Sequence, residues 1–182
     1  MIRYERDKRT MLAPPALRAV HPLGKSSVIE DGGLVLAESG AIVECLIDRY
    51  GEDRLAPPPG TPARTRYLYW LHFAEGTAMM PLLLKLYLGR MGEGAGPLLA
   101  RVDGQMRAHL DYVEAELGDA PFLLGDALTG ADIQMSFPLE ASAARGGLGA
   151  GHPRLSGLLR HLQERPAYRR AIERGGPYTV MS

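Results

Sequence analysis

GKSSVIEDGGLVLAESGAIVECLIDRYG, residues 24–51, decides how this chain is read. Val28-Ile29-Glu30 and Leu34-Val35-Leu36 are short apolar runs separated by Asp31-Gly32-Gly33. Glycine enters the positive-φ conformations that a tight turn demands, so the spacing predicts a β-hairpin. Beyond Glu38-Ser39, the residues Ile42, Leu46, Ile47 and Tyr50 recur at helical spacing and should form a buried side, and Gly51 stands where a terminating glycine is expected. Ser39 is the expected N-cap, placed beside unpaired backbone N–H groups and the positive end of the helix dipole.

Two readings of Glu38-Ser39 stay open on spacing alone. A helix N-terminus with a cap hydroxyl receives a carboxylate, and a carboxylate one residue earlier receives an ammonium; the pair therefore suits an α-amino acid headgroup. Equally, Ser39 caps its helix and Glu38 complements the dipole with no ligand involved, and caps far outnumber ligand sites.

Working outward, Lys plus Arg and Asp plus Glu number 21 each among the 182 residues. No overall field draws this chain to nucleic acid or an anionic membrane, and neither is expected as a partner. One cysteine, Cys45, excludes an internal disulfide framework and fits a reducing cytoplasm. Its place near the apolar side of the 39–50 helix suits a small buried residue better than a nucleophile. MIRYERDKRT has none of the apolar core of a signal peptide, and Met79 to Leu88, with Lys85 inside it, is too short to span a bilayer. His21, His72, His109, His152 and His161 lack metal-ligand spacing, so no metal is expected.

Ile2-Arg3-Tyr4 alternates weakly and is read as a strand, followed by a loop or short helix over Leu12 to Leu17. Leu55 to Gly60, with Pro57-Pro58-Pro59, reads as a linker. Thr61 as N-cap and Pro62 at the first helical position open a long helix with Tyr67, Trp70, Leu71, Ala74 and Ala78 buried and a kink at Pro81. Gly89, Gly92, Gly94 and Gly96 interrupt it. The next helix carries Leu99, Val102, Met106, Leu110, Val113 and Leu117 at alternating three and four spacings and ends at Gly118. Thr129 and Asp132 then form an acidic capping box, with Leu128 and Ile133 placed as a hydrophobic staple. Gly146 to Gly151 is a break, and helices over Pro153 to Glu164 and Pro166 to Glu173 finish the chain.

Gly24-Lys25-Ser26-x-Val28 followed by Glu38-Ser39-x-Ala41-Ile42 resembles the glutathione-binding half of the cytosolic glutathione S-transferase superfamily. Thr129 to Ile133, and Pro153-x-Leu155 through Arg165-Pro166-Ala167, are similar to that family's capping element and C-terminal helices. The resemblance implies an α+β, mostly α architecture: a thioredoxin-like glutathione-binding domain over 1–54, a linker over 55–60 and an all-α domain over 61–182. It implies that Glu38 and Ser39 hold the γ-glutamyl headgroup of glutathione, that the backbone at Ser26 pairs with its cysteinyl part, and that Lys25 meets its glycyl carboxylate. The implied activity is conjugation of glutathione, a co-substrate, to a small hydrophobic electrophile by a cytoplasmic homodimer serving detoxification. A non-catalytic glutathione-binding protein and a helical interaction protein are the alternatives. The family's opening strand and helix, which carry the residue that contacts the sulfur, have no expected counterpart ahead of Ile2, so no catalytic residue is assigned. Ser27 stands where the family has a cis-proline. A cis bond before a residue other than proline costs about 2.5–4 kcal/mol, so the Ser26-Ser27 loop is expected to be strained or to turn trans.

Overall fold

Gly32 (φ +57°) and Gly33 (φ +85°) make the predicted two-residue turn, a backbone that side-chain-bearing residues rarely adopt. They join β1 (Val28–Asp31) to β2 (Leu34–Ala37) in an antiparallel pair whose register sets Val28 opposite Ala37 and Asp31 opposite Leu34. The computed structural model describes residues 1–10, 12–145 and 147–176, and the chain divides into two compact units, Met1–Glu52 and Asp53–Ser182.

The first unit contains α1 (Pro15–Val20), the hairpin and α2 (Ser39–Tyr50), which packs against both strands. Four expectations are corrected here. Residues 2–4 form no strand; Ile2 is exposed, and the chain turns just beyond it at Asp7, whose Oδ1 accepts the N–H groups of Arg9 (3.0 Å) and Thr10 (2.7 Å). α2 is capped by Glu38, so Ser39 is its first residue and not its N-cap. Gly51 keeps a right-handed backbone (φ −78°), and the left-handed residues come later, at Glu52, Asp53 and Leu55. Of the expected buried side only Ile42 is buried; Leu46 and Tyr50 are exposed, and Ile47 and Cys45 are half-buried.

Among the described residues the second unit's elements are all helices, with one isolated bridge between Phe122 and Gly125. α3 (Pro62–Phe73) begins as expected, with Thr61 Oγ1 accepting the Arg64 N–H at 3.1 Å and Pro62 at the first position. Tyr67, Trp70, Leu71 and Ala74 are buried, whereas Ala78 is half-buried. The expected kink at Pro81 takes the form of a π-helical turn, Ala74–Ala78, ahead of α4 (Met79–Leu88). Pro81 has no N–H for the Thr77 carbonyl four residues back, and a widened turn relieves the clash of its ring there. The Thr77 carbonyl instead accepts from the His109 ring, whose pKa burial nonetheless holds below the ordinary value.

α5 (Gly96–Leu117) follows a short 3-10 turn at Gly92–Ala95 and buries Val102, Met106, Leu110, Val113 and Leu117, the expected stripe. It packs on α4 and on α7 (Pro153–Glu164), and Glu114 reaches across to cap α7: its two carboxylate oxygens accept the Arg154 and Leu155 N–H groups, each at 2.9 Å. α8 (Pro166–Gly175) buries no residue of its own and is tied by the Tyr168 hydroxyl to Glu140 at 2.7 Å. Of the expected 146–151 break, Gly146 lies outside the described residues, and 147–151 carry no helix.

α6 (Gly130–Ala144) packs against α3 and α7 and starts at the capping box. Asp132 is fully buried; its Oδ2 accepts the Thr129 N–H and Oγ1–H, both at 2.8 Å, and its Oδ1 accepts the Leu123 N–H at 2.8 Å. Burial pushes this carboxyl upward against those bonds. Of the expected staple pair, Leu128 is half-buried and Ile133 is 42% exposed. Pro138 sits buried inside the same helix, an interior proline that no sequence signal flagged. Thr129→Ala should lower stability by about 1–2 kcal/mol, since it leaves an Asp132 lone pair and a first-turn N–H unpaired. Urea denaturation followed at the Trp70 fluorescence checks this; an unchanged midpoint would count against a structural role for the box.

Candidate functional site

Val28 pairs with Ala37 at the open end of the hairpin, so Ser27, which precedes the one, and Glu38, which follows the other, lie at the same end. The turn at Gly32-Gly33 thus brings the loop before β1 alongside the start of α2, and four residues singled out in the sequence, Lys25, Ser26, Glu38 and Ser39, gather at one end of the hairpin. Lys25, Ser26 and Glu38 are exposed there, and Ser39 is half-buried. The Ser26-Ser27 peptide bond is cis, which removes the trans alternative.

Glu38 makes the strand-to-helix corner. Its backbone stands at φ +72°, ψ +112°, outside the comfortable regions for a residue with a Cβ, at a cost of about 1–3 kcal/mol. Its carbonyl accepts the Ile42 N–H at 2.9 Å and so closes the first turn of α2. Its side chain makes no cap hydrogen bond and is exposed to solvent. Gly40 and Ala41 lie ahead of the first intrahelical bond, so their N–H groups add to the positive end of the dipole. An exposed carboxylate beside an electropositive helix start is the arrangement that a zwitterionic headgroup fits.

The other end of the hairpin is clamped by residues that the sequence reading passed over. The Tyr50 hydroxyl donates to Asp31 Oδ1 at 2.7 Å, and Arg49 Nη1 donates to Oδ2 at 2.8 Å. These bonds fasten the last turn of α2 to the end of β1 and hold the register at the far end. The faint signal was a carboxylate opening a glycine turn and an Arg-Tyr pair closing the next helix. Among the described residues no group of three or more His, Cys, Asp or Glu is arranged for a metal ion, and no helix is long and apolar enough to cross a membrane.

Residues 96–174 match the family description "Glutathione S-transferase, C-terminal domain". A glutathione S-transferase from Actinobacillus pleuropneumoniae has the same fold with a TM-score of 0.82 and 36% identity, over 94% of this chain and 78% of that one. Glutathione S-transferase 3 of Zea mays is 30% identical over 169 residues, 87% of this chain and 75% of the maize protein. The chain belongs to the glutathione S-transferase family. A sphingomonad glutathione S-transferase solved in complex with glutathione shares the fold at a TM-score of 0.77 and 25% identity, over 96% of this chain and 87% of that one. The first unit of this transferase-family chain is accordingly its thioredoxin-like part, and the second its all-α part.

The clamp at Asp31 has a measurable signature. The Tyr50 bond, and then the Arg49 bond, hold this carboxyl below its ordinary value. A depressed carboxyl adds stability that is present above the ordinary range and is lost as pH falls through the folded-state value. The Asp31 side-chain carbon followed by NMR should therefore titrate below about 3.9. Tyr50→Phe and Arg49→Gln should each move it upward, and a midpoint indifferent to both substitutions would dismiss the clamp.

Proposed function

We propose that this chain binds glutathione at the corner made by Ser26, Glu38 and Ser39 and conjugates its thiolate to a small hydrophobic electrophile. The observation that carries the reading is the juxtaposition of the Ser26-Ser27 loop with Glu38, a residue held in a costly backbone conformation at the start of α2. Backbone outliers of this kind cluster at ligand-holding corners. Family membership, and the glutathione bound in the sphingomonad relative, support the choice of ligand.

In this reading the Glu38 carboxylate takes the ammonium of the γ-glutamyl group. The Ser39 hydroxyl and the N–H groups of the first turn of α2 take the α-carboxylate beside it. The exposed backbone at Ser26 pairs with the cysteinyl peptide, and Lys25 contributes positive charge on the glycyl side. Together they hold the tripeptide extended along the hairpin end and place its sulfur in one position. A free thiol ionises near 8.5, and the thiolate is the attacking species, so a hydrogen-bond donor or dipole at the sulfur raises the reactive fraction at neutral pH. The carbon–sulfur bond then forms as the leaving group departs from the electrophile with its electron pair. None of the described residues is assigned to the sulfur. No metal takes part in this chemistry, and detoxification in the cytoplasm is the role such a reaction would serve.

A symmetric homodimer completes the proposal. α4 exposes Met80, Leu83, Leu84 and Tyr87 on one side, while Met79 is half-buried. That is more apolar surface than a helix facing only water carries, and a second copy is the proposed cover.

Two measurements test these proposals. Glu38→Gln and Ser39→Ala should each weaken glutathione by roughly 1–3 kcal/mol, the range for hydrogen bonds to charged groups. Calorimetric titration reads this directly, and two variants with undiminished affinity would move the site elsewhere. Light scattering at micromolar concentration should return twice the chain mass; a monomer would withdraw the dimer.

A further inference from the structure

We propose that the His109 ring is an acid-sensitive latch on the π-helical turn between α3 and α4: in its neutral form it holds the Thr77 carbonyl against α5, and on gaining a proton it swings toward water and lets the turn open.

The latch begins with a missing donor. Pro81 offers no N–H to the carbonyl four residues before it, and the Thr77 carbonyl takes a hydrogen bond from the His109 ring instead. One ring nitrogen, Nδ1, is buried and has no hydrogen-bond partner. A neutral imidazole carries one donor and one acceptor, so the nitrogen that donates to Thr77 is Nε2, and Nδ1 keeps a bare lone pair.

His109 borders a cavity of about 10 Å³, room for one water at most. Phe73 of α3, Ala78 of the π-helical turn, Met106 and Leu110 of α5, and Met135 and Ser142 of α6 are among its walls. Ser142 has already given its hydroxyl hydrogen to the Pro138 carbonyl at 2.8 Å. Among the described residues that line the cavity, His109 is the only titratable one.

Charged groups on the surrounding elements are engaged elsewhere. Glu75 of the turn accepts from Gln134 Nε2 at 3.1 Å, and Arg145, at the end of α6, donates to the Leu82 carbonyl at 3.0 Å. Lys85 of α4 pairs with Asp103 at 2.9 Å. On α5 itself Asp111 bonds His152 at 2.8 Å, and the Tyr112 phenol, pushed up to about 12 with the Tyr69 hydroxyl as the main cause, stays uncharged. None of these groups bonds Nδ1.

Protonation changes the balance at that one atom. The bond from Nε2 to Thr77 strengthens, but Nδ1 acquires a charged N–H with no acceptor. Burial outweighs the Thr77 bond and holds the ring below the ordinary histidine value. His109 is only half-buried, so turning the ring outward hydrates both N–H groups at the expense of the Thr77 contact. The stability supplied by the neutral ring is full above the ordinary value near 6.5 and is lost as pH falls from there toward the folded-state value. The loss is concentrated at the π-helical turn, where the regular helical ladder is already interrupted.

The test uses the full chain. The His109 ring followed by NMR should titrate below about 6.5. Hydrogen exchange over residues 74–80, corrected for the intrinsic effect of pH, should lose protection between about pH 7.5 and about pH 5.5, which bracket that value. His109→Gln keeps an N–H for Thr77 and removes the titration, so the loss should be severalfold larger in the parent chain than in this variant. A ring that titrates at or above the ordinary histidine value would overturn the latch, and this arm needs no variant. Equal acid losses in the parent chain and in His109→Gln would overturn it as well, since the turn would then open for a reason other than His109.

Discussion

The register of a four-residue hairpin is the constraint on which the first unit depends. Strand side chains alternate with a period of two, so a slip of one residue between β1 and β2 would exchange every inward residue for an outward one. Gly32 and Gly33 prevent that slip by closing the loop in the shortest way available to right-twisted strands. Asp31, bonded to Arg49 and Tyr50, fixes the same register from the side of α2. At the opposite end, the Val28–Ala37 pair leaves the Ser26-Ser27 loop and the Glu38 corner at the same end of the hairpin. A two-stranded hairpin is marginal alone, and α2 packing across both strands makes this one a platform.

The second unit is held by different means, chiefly by carboxylates that serve the backbone. Asp132 is fully buried and meets three donors from two segments, so it ties the Phe122–Leu123 turn to the start of α6. Glu114 does the same between α5 and α7 from the surface side. Each supplies acceptors to N–H groups that the helix itself cannot satisfy. Helix starts would otherwise be weak points where α6 and α7 are packed against neighbours, because an unpaired buried donor costs more than a hydrogen bond returns.

Local chemistry was legible in the chain, and tertiary consequences were not. The Gly32-Gly33 turn, the Thr61-Pro62 helix start, the α5 stripe and the Thr129–Asp132 box all depend on neighbours within a few residues. Their signals lie together in the sequence. The apolar spacing of Ile42, Leu46, Ile47 and Tyr50 suggested a full buried face, but a hairpin of two short strands covers only part of α2, and Tyr50 turned to Asp31 instead. Residues 2–4 alternate like a strand, yet alternation makes no ladder without a partner. Ser39 was placed as the cap because its residue type favours that position; the positive φ of Glu38, which moves the helix start back by one residue, has no marker in a glutamate. At Pro81 the break was foreseeable from the missing N–H, whereas the form it takes, a π-helical turn one turn earlier, has no marker in the sequence.

Glu38 and Asp132 show how differently the same functional group is held at two helix starts. Both are acids within a turn of a helix N-terminus, where a negative charge is favoured by the dipole. Asp132 sits at the third helical position, from which its oxygens reach back to the cap residue, and the protein around it removes water; its two oxygens accept three internal hydrogen bonds. Glu38 sits at the cap itself, with a backbone turned to φ +72° so that its side chain leaves the helix axis. It makes no bond to the first-turn N–H groups, and solvent keeps its charge inexpensive. The conformation in which Glu38 makes no cap bond leaves its exposed carboxylate beside the start of α2. A residue optimised for stability at that corner would be a serine or aspartate in extended backbone, bonded to the first turn. The cost of the left-handed glutamate is therefore itself an argument that the corner is shaped for something other than the fold.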